Sequence, residues 1–167
     1  CLIPDSIEGD EGENDHLMSW WASRTDAASV PVWHLHESLE RLNRLVSESR
    51  RVAIGSSGQF AVVGTSGWWS RMSEAMEVAC DGDGRPLAKL HGLRMLDPTV
   101  FSHLPLSSAD STNIAQNIGV DVKWSGPYQP LTKRMRAAVL SDRIEFHASA
   151  ARWTRSCGVQ KNLELVG

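Results

Sequence analysis

The sequence predicts an α/β fold made of successive parallel βα units. Three observations carry that expectation. Short apolar runs alternate with segments of helical period; the runs end in glycine or polar residues; and the 167-residue chain is 41% hydrophobic and 22% charged, enough apolar area for one sizeable core. This composition excludes a collagen-like, coiled-coil or wholly disordered chain. No apolar run approaches the roughly 18 residues of a spanning helix, and no basic-then-apolar start marks a signal peptide, so the expected compartment is the cytoplasm. The opening Cys1-Leu2-Ile3-Pro4-Asp5 reads as the end of a strand, and the chain is expected to be a fragment of a longer fold.

Taken in order, Val30-Pro31-Val32-Trp33 is a strand, and residues 37–49 a helix in which Leu39, Leu42, Leu45 and Val46 recur at helical spacing. Arg51-Val52-Ala53-Ile54 is the next strand, broken by Gly55-Ser56-Ser57-Gly58. A helix from about 66 to 80 buries Trp69, Met72, Met76 and Ala79, and Asp81-Gly82-Asp83-Gly84 stops it. Leu87-Ala88-Lys89-Leu90 repeats the pattern, with a short helical turn over 98–103 opened by Pro98. Residues 104–109 form another short strand, leading through Asp110-Ser111-Thr112-Asn113 into a helix to about 117. Counting the segment at Cys1, five strands result. Residues 124–130 are a loop, and 131–153 read as one long basic helix. Trp20-Trp21 and Trp68-Trp69 are expected to pack helices on the sheet, with one member of each pair left for a surface contact.

The three cysteines, Cys1, Cys80 and Cys157, are odd in number and lack CxxC spacing, which indicates neither a disulfide framework nor a zinc ribbon. Charge is distributed unevenly. Asp5, Glu8, Asp10, Glu11, Glu13, Asp15 and Asp26 face only Arg24 in the first segment, whereas Lys123, Lys133, Arg134, Arg136, Arg143, Arg152, Arg155 and Lys161 outnumber Asp142, Glu145 and Glu164 in the tail. An electropositive surface for a polyanion and ordinary solvated helix faces both fit this asymmetry.

Parallel βα units place their reactive loops at the carboxyl ends of the strands, on one edge of the sheet. The residues there are Asp5; His34, His36 and Glu37; Gly55, Ser56, Gly58 and Gln59; His91, Gly92 and Arg94; and Ser107, Ser108, Asp110, Ser111, Thr112 and Asn113. Asp110 follows an apolar strand and precedes a helix, so it suits either a helix N-cap or a catalytic carboxylate. Asp5 begins a turn or accepts from the adjacent N–H donors of a guanine-like edge. Gly55-Ser56-Ser57-Gly58 is too short for a phosphate loop; its glycines turn the chain or admit a flat ligand close to the backbone. His34 and His36, two apart in an extended segment, face the same way and with His91 and Asp110 could bind a metal, although such a pair more often serves hydrogen bonding or the core.

The succession Ile3-Pro4-Asp5, Val32-Trp33-His34-Leu35-His36, Val52-Ala53-Ile54-Gly55-Ser56-Ser57-Gly58, Lys89-Leu90-His91-Gly92-Leu93 and Pro105-Leu106-Ser107-Ser108-Ala109-Asp110-Ser111 resembles the second half of the queuine tRNA-ribosyltransferase-like barrels. It is similar above all to divergent forms from bacteriophages and mobile elements, some of whose relatives modify DNA. The resemblance covers about residues 1–120. It implies strands four to eight of a (β/α)8 barrel, followed over 121–167 by a loop and a basic helical segment.

It also implies an activity: exchange of guanine for a 7-deazaguanine in tRNA or DNA through an aspartate that attacks the sugar C1′. By position Asp110 would be that nucleophile, and Asp5 would read the N–H edge of the base. Gly55 and Ser56 would offer backbone groups to its carbonyl, and His36 would stand where the family places an amide side chain. His91 is counted with the substrate-binding residues. A general acid/base aspartate would lie on an early strand, upstream of Cys1. No cofactor or metal is implied, the partners are nucleic acid and the deazaguanine base, no membrane is involved, and a homodimer is compatible with the reading.

Departures from the family are the absence of a three-cysteine, one-histidine zinc site after the barrel, which favours a DNA-acting or otherwise diverged relative, and Ser56 with His34 and His36 in place of glycine and glutamine. Two rival expectations stand beside this one: a metal-dependent barrel hydrolase using His34, His36, His91 and Asp110, and a degenerate nucleic-acid-binding module without catalysis. On the main reading the isolated fragment is expected to be inactive, because a half barrel leaves sheet edges unpaired.

Overall fold

The computed structural model describes residues 1–7, 9–25, 29–111 and 130–155. It is a mixed α/β structure with a four-stranded parallel sheet of β1 (Val32–His34), β2 (Arg51–Gly55), β3 (Lys89–Gly92) and β4 (Ser108–Ala109) in the order β1-β2-β3-β4. The N-terminal segment extends this order by one position. Leu2 bridges Val30 in parallel, with Ile3 N–H donating to the Val30 carbonyl and Val30 N–H to the Cys1 carbonyl, each at 2.9 Å. Chain order and spatial order therefore agree across five segments. Right-handed crossovers that all step the same way put every helix on one face, whereas a doubly wound sheet reverses direction and is covered on both.

The register fits that geometry. Trp33 lies level with Ile54 and Val52 with Leu90, so these four side chains share a face, and all four are fully buried. They meet Leu42, Leu45 and Val46 of α2 (Leu39–Glu48) and Trp68, Met72 and Met76 of α3 (Ser66–Ala79) in one core cluster. Each helix starts where a hydroxyl cap takes an otherwise unpaired N–H: Ser38 accepts from Arg41, and Thr65 from Trp68. The opposite face carries Arg51, Lys89, His91 and Ser108; of these only His91 is partly covered.

α1 (Glu11–Ala22) docks differently. Of its residues only Asn14 is buried, and the helix is held by polar contacts. Asn14 Nδ2 donates to Glu37 Oε1 at 2.9 Å, Glu11 takes the N–H and hydroxyl of Ser38, and Asp15 pairs with Arg41 and Arg44. Behind these contacts lies a buried ion pair, Arg41 Nη1 to Glu37 Oε2 at 2.6 Å. Glu37 also accepts the backbone N–H of His34 at 2.8 Å, and Arg41 donates to the Val32 carbonyl at 2.9 Å.

Several expectations need correction. The strand expected at 87–90 lies two residues later, over Lys89–Gly92. The turn before it is longer, because Asp81 N–H donates to the Arg85 carbonyl, Leu87 N–H to the Ala79 carbonyl, and Cys80 bridges Pro86. Of residues 104–109, only Ser108–Ala109 join the sheet; Leu104 N–H instead closes the end of α4 (Pro98–Phe101) on the Phe101 carbonyl, and Pro105 has no N–H to give. The basic helix is shorter than 131–153: α5 spans Lys133–Glu145. Trp68 and Trp69 are both buried, so neither is left for a surface contact, whereas Trp20 is exposed. The helix expected to about 117 and most of the 124–130 loop lie outside the described residues.

α5 ends early because the following segment returns to the core. Ala150 N–H donates to the Leu104 carbonyl, and Trp153 N–H to the Gly84 carbonyl at 2.7 Å, burying the Trp153 ring. Gly84 has φ +76°, and a Cβ there would sit 2.2 Å from the Trp153 carbonyl oxygen. None of the helices among the described residues is long and apolar enough to cross a membrane.

Three substitutions, followed by chemical denaturation, test these contacts. Gly84→Ala is expected to destabilise by about 2–3 kcal/mol, because backbone strain and overlap with the Trp153 backbone act together. Gly82→Ala, with open space around it, should be near neutral. Arg41→Ala leaves the Glu37 carboxylate buried without its cation and is expected to cost about 3–5 kcal/mol; a loss below about 1 kcal/mol would show that the pair does not hold the fold.

Candidate functional site at the carboxyl edge of the sheet

Every strand ends on the same edge, and the side chains there form two carboxylate–imidazole pairs. In the first, Asp5 Oδ2 meets His34 Nε2 at 2.7 Å, the histidine side chain being 4% exposed and the aspartate 26%. A carboxylate only accepts, so His34 carries its proton on Nε2. Its Nδ1 is buried with no hydrogen-bond partner among the described residues and lies over Gly55. A Cβ at Gly55 would come within 2.6 Å of that Nδ1. The space that glycine opens here is filled by the His34 ring.

In the second pair, His91 Nε2 approaches Asp110 Oδ2 at 3.3 Å, and His91 Nδ1 meets Ser108 Oγ at 2.8 Å. The acceptor-only carboxylate again places the imidazole proton on Nε2, leaving Nδ1 to accept from the Ser108 hydroxyl. Asp110 Oδ1 accepts the Arg94 N–H at 2.8 Å. Arg94 is the one non-glycine residue with positive φ, at 60°, among the described residues, so the chain turns sharply after β3 and directs a backbone donor at Asp110. Further bonds, Asp110 N–H to the Gly92 carbonyl and Leu96 N–H to the Asp110 carbonyl, fix the backbone on both sides. The Asp110 side chain remains 53% exposed, oriented yet accessible. The N–H groups that an N-cap at Asp110 would serve lie outside the described residues.

Between the pairs runs β2. Val32, Ala53 and His91 are level across the sheet, as are His34 and Gly55, so the floor separating the two imidazoles consists of Ala53 and Gly55. Two strand spacings, about 10 Å, separate β1 from β3. His36 completes the edge: it is exposed, stacks on His34 at a ring distance of 5.7 Å and an angle of 19°, and meets Ser57 Oγ through Nδ1 at 2.6 Å. Ser56 turns away, its hydroxyl accepting from the Trp68 indole at 2.9 Å.

The structure thus brings Asp5 to His34 and Asp110 to His91, and sets His36 beside the first pair. It does not gather His34, His36, His91 and Asp110 around one point, and no group of three His, Cys, Asp or Glu among the described residues could hold a metal ion. Cys80 is no nucleophile for this site. It lies at the opposite end of the sheet beyond α3, and burial, with the Asp81 charge beside it, pushes its thiol up to about 11. Of the tail cations, Arg136 is buried and donates to the Pro130 carbonyl, and Arg155 pairs with Glu77 at 2.9 Å, while Lys133, Arg134 and Arg152 are exposed.

Asn14, Asp15, Arg41 and Arg71 also support this edge and had no signal in the sequence. Arg71, from α3, donates to the carbonyls of Leu35 and Glu37 at 2.8 and 2.6 Å, immobilising the turn that carries His36. An arginine on an amphipathic helix reads as solvated surface, and nothing local to it reveals such carbonyls. Comparison with known proteins finds no matching family model, no matching curated protein and no matching solved structure.

Proposed function

We propose that this chain belongs to a base-exchanging glycosyltransferase acting on nucleic acid, with a (β/α)8 barrel as the complete fold. The observation that carries the reading is the placement of Asp5 and Asp110 at the ends of the first and fifth of five sequentially ordered parallel segments. In an eight-stranded ring, positions four strands apart face each other across the mouth. Two carboxylates, each oriented by an imidazole, would then flank a bound nucleotide.

In this mechanism the Asp110 carboxylate attacks C1′ of a guanosine unit. A C–O bond forms as the bond from C1′ to the base nitrogen breaks, and guanine departs with a proton taken from water, to which the incoming base later returns one. A 7-deazaguanine then loses a proton and attacks the same carbon, displacing Asp110. The exchange is redox-neutral and consumes no cofactor. The Arg94 N–H and the His91 imidazole hold the attacking carboxylate in place, and holding it leaves less orientation to be lost on reaching the transition state. Asp5 keeps one oxygen on His34 and directs the other to the donor edge of the base, where charge-assisted bonds favour guanine over adenine. The substrate is DNA or tRNA, and exposed cations such as Lys133 and Arg134 would add salt-dependent phosphate contacts.

The test is incorporation of labelled guanine into DNA and tRNA by the intact polypeptide. Asp110→Asn is expected to reduce exchange by about 10⁴-fold, and Asp5→Asn to raise KM for the free base by about 10–100-fold through loss of the charged acceptor. Exchange unaffected by Asp110→Asn would overturn the assignment.

A further inference from the structure

The pairing of His36 with Ser57 is not explained by the chemistry above, and its geometry determines more than a contact. Ser57 follows β2 and opens the 3-10 turn Gly58–Phe60. Phe60 N–H donates to the Ser57 carbonyl at 2.9 Å, and Gly58, at φ +54°, lets the chain bend under His36, where a Cβ added at Gly58 would lie 3.6 Å from the His36 Cβ. The Ser57 side chain is thereby carried inward, and the residue is 2% exposed, while His36 stays at the surface of the mouth.

The direction of the hydrogen bond follows from its surroundings. His36 Nε2 faces the Gly9 carbonyl at 3.4 Å, and a carbonyl only accepts, so Nε2 carries the proton. The neutral ring then offers an unprotonated Nδ1 to Ser57 Oγ at 2.6 Å, and the hydroxyl donates. The serine side leads to the same answer. If Nδ1 were the donor, the Ser57 hydroxyl proton would be buried with no acceptor among the described residues, an arrangement that folded proteins avoid. The ring is further steadied by stacking on His34, itself held by Asp5.

We propose that Ser57 is a positioning residue that fixes His36 as a hydrogen-bond donor at the mouth, so that the site selects a base presenting a carbonyl rather than an amino group at that edge. The ligand class rests on the glycosyltransferase reading; the orientation of His36 does not. On this reading the Asp5 carboxylate would accept from the base, and His36 Nε2–H would donate to it in exchange for the Gly9 carbonyl. A base with adjacent carbonyl and N–H groups matches both, whereas 2,6-diaminopurine, with an amino group in place of the carbonyl, sets donor against donor at His36.

Long-range proton–nitrogen correlation spectra of the intact polypeptide at pH 8 read the tautomer directly. His36 is expected to carry its proton on Nε2 in the wild type and to become a mixture of tautomers in Ser57→Ala. Binding of guanine and of 2,6-diaminopurine is measured on the same two proteins, and the preference for guanine is expected to fall about tenfold in the variant, as for loss of one oriented hydrogen bond. A wild-type His36 protonated on Nδ1 overturns the proposal whatever the activity, and needs no variant to fold. A Ser57→Ala protein that keeps both the tautomer and the preference overturns it as well. If neither base binds the wild type while the tautomer responds to Ser57→Ala, the glycosyltransferase reading fails and the positioning role of Ser57 stands.

Discussion

The buried carboxylate of Glu37 is the contact on which the rest of the site depends. Its two oxygens take Asn14 from α1, the backbone N–H of His34 at the end of β1, and Arg41 from α2, while its own carbonyl takes Arg71 from α3. Four elements thus converge on one residue directly behind the Asp5–His34 pair. A charge withdrawn from water this completely stabilises a structure only when its partners are all in place. The same requirement makes the arrangement specific, because displacing any one of the four elements leaves a charge or a donor unmatched.

That constraint sets the character of the whole edge. The sheet packs its helices against one face with ordinary apolar side chains, and polarity is confined to the strand ends and the opposite face. α1 is the exception, attached through Asn14, Glu11 and Asp15 with little apolar surface, so its seat is defined by charge and hydrogen-bond geometry. At the carboxyl edge every imidazole has an acceptor opposite Nε2: Asp5 for His34, the Gly9 carbonyl for His36, Asp110 for His91. Acceptor-only carboxylates fix His34 and His91 with a proton on Nε2, and these two rings leave Asp5 and Asp110 oriented before any ligand arrives.

Much of the architecture was legible in the residues themselves. β1, β2, α2 and α3 follow from periodicity, because Val52 and Ile54 alternate and Leu42, Leu45 and Val46 repeat at helical spacing against a shared core. β3 starts two residues later than its apolar run because the turn marked by Asp81-Gly82-Asp83-Gly84 is prolonged by pairing between residues 79–81 and 85–87, which the composition does not record. α5 is shorter than the basic stretch suggests, because the burial of Trp153, which ends the helical path, depends on a distant glycine. α1 has almost no amphipathic stripe, and only its start is marked, by the cap Asp10 that accepts the Glu13 N–H. Asp5, His36, His91 and Asp110 were visible as strand-end residues, but their pairings were not: which imidazole meets which carboxylate depends on register across the sheet, and no single strand records it.

In the proposed exchange the exposed, oriented carboxylate of Asp110 forms a bond to the sugar. That step is tested most directly by mixing the intact polypeptide with guanine-containing nucleic acid, denaturing without free base, and mapping any protein–nucleic acid adduct by mass spectrometry of the digested peptides. A single ester linkage is expected on the peptide containing Asp110, released when a 7-deazaguanine base is supplied before denaturation. A linkage at another residue, or base exchange proceeding with no adduct at any time, would contradict it.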